Sequence, residues 1–116
     1  MSRCMRWMVW QKAREIVREV HRLAGTMERD AGLGTQMRRA AISVASNIAE
    51  GANRTTDADL KRFLGIARGS CGELQTQVTL AFDQGCLSEA DHQRLDDLVD
   101  HVGRMLSRFI QRIEPP

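Results

Sequence analysis

The side chains able to do chemistry are few, and their spacing does not bring them together. Glu50 and Glu73 come nearest to a general acid and base pair. Hydrolysis would need them in an open pocket with a metal or an activated water, and the same charges are as well suited to facing arginines across a helix seam. His21, His92 and His101 lie on different segments or too far apart for the i, i+4 pair of a helical metal site, so no metal is expected. Ser43 and Ser70 have no histidine at hydrogen-bonding spacing and read as packing residues rather than nucleophiles. Cys4, Cys71 and Cys86 form no C-x-x-C pair and no regular spacing, which indicates neither a disulfide framework nor a zinc site. Gly32-Leu33-Gly34 lacks the preceding strand and the Gly-Lys-Ser/Thr of a phosphate loop, so it reads as a helix connector. No catalytic set and no cofactor are expected.

Positive charge is the stronger signal. The formal net charge is only +2, but it is unevenly spread. Through residue 72 there are 13 Lys/Arg against 7 Asp/Glu, and from residue 73 onward 4 against 8. Lys12, Arg14, Arg18 and Arg22, then Arg38, Arg54, Lys61 and Arg68, are the candidate phosphate contacts. Glu15 and Glu19 interleave with the first four, so an ordinary solvated face or an arrangement of subunits is the competing reading.

These residues need elements to position them, and composition points to helices. Ala, Leu, Met, Arg and Gln are frequent and Tyr is absent. The chain has 116 residues, enough for one hydrophobic core and so for one domain spanning 1–116. No apolar run approaches the ~20 residues that cross a bilayer, and the start has no signal-peptide pattern, so a cytoplasmic protein is expected.

Apolar residues recur at helical spacing in four segments. The first runs from about Met5 to Thr26 through Val9, Ala13, Ile16, Val20 and Leu23. Thr35 is expected to cap a second helix reaching about Ala52, with Met37, Ala40, Ala41, Val44 and Ile48 inward. Thr56-Asp57-Ala58-Asp59 opens the third, which carries Leu60, Leu64, Ala67, Cys71, Leu74 and Val78 and stops at Gly85. Ser88-Glu89-Ala90-Asp91 opens the fourth, which Pro115-Pro116 ends. Short connections make successive helices antiparallel neighbours, so the expected fold is an all-α, up-and-down antiparallel four-helix bundle.

The middle helices carry more than a core stripe. Gln36, Arg39, Ser43, Asn47 and Glu50 align on the second helix, while Arg62, Ser70 and Glu73 align on the third, giving a polar seam. An antiparallel pairing brings Arg39 level with Glu73 and Glu50 with Arg62, where they either pair or stay solvated. Ile42, Ala45 and Ala49 form a second apolar face. Gly65, Gly69 and Gly72 form a row that costs helix stability, about 1 kcal/mol per glycine. Close approach of another backbone would explain the row, and a lone bundle does not supply it, so a homo-oligomer is expected.

The stretch from Gln36 to Gly51 reads Q-M-R-R-A-A-I-S-V-A-S-N-I-A-E-G, and it resembles the bacterial 23S rRNA intervening-sequence proteins. The likeness continues in Phe63 to Ser70, in Glu73-Leu74 and in Val9 to Ala13, and so covers nearly the whole chain. Met27-Glu28 stands where that family usually has Phe-Pro, a departure that touches one turn. The resemblance implies a cytoplasmic four-helix bundle with no established enzymatic activity. It further implies members that assemble as ring-like homopentamers, and a branch that serves diversity-generating retroelements by binding nucleic acid and a reverse transcriptase. Copies of itself, RNA or DNA, and another protein are therefore the partners open to this chain; a membrane is not.

Overall fold

A computed structural model describes residues 3–27 and 31–113. It contains four α-helices: α1 (Arg3–Ala24), α2 (Ala31–Ala52), α3 (Asp57–Asp83) and α4 (Glu89–Ile113). Each helix packs beside its chain neighbour, and α4 closes the square against α1. The result is an up-and-down bundle 45 Å long and about 20 Å across. No helix of the described residues is long and apolar enough to cross a membrane.

All four helices contribute to one core. Ile16 of α1, Met37 and Ile48 of α2, Leu64 and Leu74 of α3, and Leu95 and Leu106 of α4 are completely or almost completely buried. Removing this apolar surface from water, at about 25 cal/mol per Å², is what holds helices together that would be marginal in isolation. Cys71 belongs to the same core, and burial pushes its thiol up to about 12. It stays protonated at physiological pH and acts as a small apolar side chain.

The ends of α3 and α4 follow local chemistry. The Thr56 hydroxyl accepts a bond from the Asp59 backbone N–H at 3.2 Å, and Asp57 and Asp59 place negative charge on the first turn. At the other end Gly85 has φ +77°. The Cys86 N–H reaches the Ala81 carbonyl at 2.9 Å and the Gly85 N–H reaches Phe82 at 3.0 Å, the paired bonds of a Schellman stop. Ser88 caps α4 by accepting from the Asp91 N–H at 3.1 Å.

The first connection departs from expectation. Thr35 is not a cap: α2 begins at Ala31 and takes in Gly32, Leu33 and Gly34. A Cβ on Gly34 would stand 3.4 Å from the Ala24 carbonyl oxygen and 3.5 Å from the Ala24 Cβ, so the start of α2 lies close on the end of α1. Leu33 packs half-buried against the core. Contact across the two helices thus outweighs the glycines' local preference against helix. The side chain of Cys4, residue Glu28 and the Pro115-Pro116 stop lie outside the described residues.

Candidate functional site

The polar seam between α2 and α3 forms in the expected register but with different bonds. Ser43 Oγ and Ser70 Oγ meet at 2.8 Å, and the Asn47 amide donates to the Ser43 carbonyl at 2.8 Å and to its hydroxyl at 3.0 Å. Of the two alternatives for Arg39 with Glu73 and Glu50 with Arg62, pairing across the helices is absent among the described residues. Glu50 instead takes Arg54 of its own chain turn at 2.8 Å. Arg62 lies over the Phe63 ring at 4.4 Å, with Arg54 on the same ring at 4.7 Å. Glu73 accepts from the Gln77 amide at 3.2 Å. Gln36 and Arg39 are solvent-exposed on α2.

Cations elsewhere divide into engaged and open. Arg22 is engaged, in a ring of four charges that ties α1 to α4. Its guanidinium meets Glu19 at 2.9 Å and Asp91 at 3.2 Å, while Arg94 meets Glu19 at 2.8 Å and Asp91 at 2.6 Å. The Arg22 hydrogen bond holds the Glu19 carboxyl below its usual value. For Asp91, burial works upward, but hydrogen bonding and charge from Arg22, with help from Arg94, bring the net shift below the usual value. Lys12 meets Glu15 at 3.4 Å. Lys61 is exposed on α3.

Arg14 and Arg18 face a different environment, a groove between α1 and α2. Its first section, about 680 Å³, is bounded by Arg3, Arg6, Trp7 and Trp10 from α1 and by Ile48 and Ala49 from α2. A second section of about 470 Å³ shares Trp10 and Ala49 and continues past Arg14, Val17 and Arg18, with Ile42 and Ala45 on the α2 side. The lining holds four arginines and no acidic residue. Trp7 is 59% exposed and Ile42 53% exposed. The Arg6 Nε is buried without a partner in this groove, and the Arg38 Nε is likewise unpartnered toward the other end of α2.

A smaller polar groove of about 530 Å³ runs between α3 and α4 and gathers Arg68, Arg104 and Arg108. Asp100 holds Arg104 at 2.8 Å. Charge counting alone does not name Arg3, Arg6, Arg104 or Arg108. The signal that would have found the first groove is the 4-3-4-4 spacing of Arg3, Trp7, Trp10, Arg14 and Arg18, which puts two indoles and three guanidinia on one helix face.

Gly65, Gly69 and Gly72 have open space where a Cβ would stand, so no backbone of another helix among the described residues approaches them. The close approach occurs at Gly51, where a Cβ would meet the Phe63 Cβ at 3.1 Å and Leu60 Cδ1 at 3.3 Å. Beside the open row, Ile66 and Leu80 of α3 are 41% and 45% exposed.

Four antiparallel helices around one core, with grooves and a polar seam on the surface, define the protein as an up-and-down bundle. The profile of the 23S rRNA-intervening sequence protein family matches residues 5–108, and the chain belongs to that family. It is also similar in structure to a protein of unknown function from the S23 ribosomal protein family of Bacteroides thetaiotaomicron. That likeness has a TM-score of 0.86 and 17% identity, and covers 92% of this chain and 98% of the other. At that identity the likeness is one of fold. A comparison with curated proteins gives no significant match.

Proposed function

We propose that this chain is a non-enzymatic, cytoplasmic scaffold that assembles with copies of itself and binds nucleic acid through the phosphate backbone. The observation that carries the reading is the α1/α2 groove, rimmed by Arg3, Arg6, Arg14 and Arg18 with no acid in its lining. Guanidinia fixed on a helix face contact phosphates without reading sequence, and symmetry would multiply the rim around an assembly. A non-enzymatic role is supported by the two carboxylates: Glu50 is held by Arg54 and Glu73 by Gln77, and neither lines the grooves described. Self-assembly is supported by the open glycine row with exposed Ile66 and Leu80 beside it. The family resemblance favours a ring of five.

Binding is tested by titrating labelled RNA and DNA with the Arg14→Glu/Arg18→Glu variant across a salt series. Weaker binding and a flatter salt dependence are expected; binding identical to the parent would remove the groove from the account. A second reading, an assembly that docks proteins without nucleic acid, is favoured by the internal pairing of Lys12, Arg22 and Arg54. It predicts no nucleic-acid binding at moderate salt. On both readings Gly69→Leu lowers the assembly mass while helical content is kept.

A further inference from the structure

We infer that the nucleic acid taken by the α1/α2 groove is single-stranded, with a base stacked on Trp7 and the flanking phosphates held by the arginine rim. This rests on the nucleic-acid reading above and narrows it to one class of ligand.

A duplex presents its phosphates outward and keeps its bases stacked inside, so a site for duplex needs cations and little apolar surface. This groove has both. Its floor is Ile48, Ala49 and Ala45 with the indoles of Trp7 and Trp10, and its edges are guanidinia. An aromatic pair flanked on both sides by cationic groups along a track suits a strand whose bases are free to leave one another.

The two indoles are not equivalent. Trp10 is half-buried, and the Arg14 guanidinium lies over its ring at 5.1 Å. Trp7 is tilted 42° from it with centroids 5.8 Å apart, and is 59% exposed. Trp7 therefore offers the open face on which a base can stack, and Trp10 with Arg14 backs it. From Arg3 to Arg18 the rim extends about 22 Å along the axis at 1.5 Å per residue. That accommodates roughly six nucleotides at the 3.4 Å stacked spacing.

The charge of the lining also bears on the competing occupant. A helix from a second copy would have to bring acidic side chains to four arginines. The α3 face with the open glycines mixes Arg62 and Arg68 with Glu73 and Asp83 beside its apolar residues, so it offers no predominantly acidic surface to them. An anionic partner with flat apolar faces meets both demands of the groove, and a nucleic-acid strand is that partner.

Both tryptophans of the chain line this groove and there is no tyrosine, so tryptophan emission reports on the groove alone. The test titrates the full chain with an oligouridylate or oligodeoxythymidylate of about twelve nucleotides, and separately with a duplex of equal length, at matched ionic strength. Emission is read together with the anisotropy of labelled strands. The single strand is expected to quench emission and to bind about tenfold more tightly than the duplex. Trp7→Ala should lose about tenfold for the strand, and Trp7→Phe should recover most of it. Arg18→Gln should leave the quench in place and lower the slope of log affinity against log salt by about 0.7. Equal binding of strand and duplex with unmoved emission and a neutral Trp7→Ala would overturn the inference while nucleic-acid binding stands. Binding of neither would overturn both. Emission that changes with protein concentration alone would put a second copy in the groove and likewise overturn it.

Discussion

Helix α1 places arginines in two settings of opposite character. Near its C-terminal end Arg22 is closed into a ring with Glu19, Arg94 and Asp91, so its charge is spent on fastening α1 to α4. On the side facing α2, Arg3, Arg6, Arg14 and Arg18 edge an apolar groove that offers them no carboxylate. One residue type on one helix thus fastens α1 to α4 in one setting and borders apolar surface of α2 in the other. A count of positive charges does not separate the two, because the distinction lies in what the neighbouring helix brings: acid from α4, apolar surface from α2.

The comparison breaks most readily at the open end. Charge reversal at Arg14 and Arg18 together is expected to lower nucleic-acid affinity at least tenfold at low salt, whereas Arg22→Ala should change it little; filter binding over a salt series measures both. Helical glycines offer a parallel contrast. Gly51→Ala puts a Cβ 3.1 Å from the Phe63 Cβ and 3.3 Å from Leu60 Cδ1, tight contacts that work against the helical gain of about 1 kcal/mol, so little or no net stabilisation is expected in urea unfolding. Gly69→Ala meets open space. At concentrations low enough to keep subunits apart it should stabilise by up to about 1 kcal/mol, more than Gly51→Ala does.

The smallest effect belongs to the closed ring. Glu19 and Asp91 have folded values below their ordinary 4.5 and 3.8, so they bind fewer protons folded than unfolded in that range. Their stabilisation is fully present above those ordinary values and is lost as pH falls through the folded ones. Arg22→Ala should therefore lower Tm slightly at neutral pH, and its difference from the parent should shrink in acid. A difference that instead grows in acid would show that the ring does not stabilise α1 against α4.

Much of the fold was legible because its determinants are local. The core positions repeat at helical spacing, and Thr56, Gly85 and Ser88 end or begin helices through bonds within a few residues. The start of α2 was misplaced because Gly32 and Gly34 read locally as a break, while the contact of Gly34 with Ala24 comes from another helix. Register across the seam was legible, since Ser43 does meet Ser70. The choice of partners was not: Glu50 has a nearer arginine on the next turn, and Arg62 finds an aromatic face. The expected polar stripe therefore became a hydroxyl and amide contact rather than an ion-pair ladder.

The candidate site was only partly legible. Arg14 and Arg18 were named from charge, but the groove that gives them a shared setting needs α2 beside α1, and Trp10 was read only for its place in a motif. The glycine row was recognised, yet the glycine that one helix needs in order to approach another within this chain is Gly51. What remains for the row is a surface that none of the described residues covers.

The proposed function is that of an assembly that carries nucleic acid. It is tested most directly by light scattering on protein purified without nuclease, read with absorbance at nucleic-acid and protein wavelengths. A mass near five times the 13.1 kDa chain is expected, with bound nucleic acid that high salt removes. A monomer with the absorbance of protein alone would contradict it.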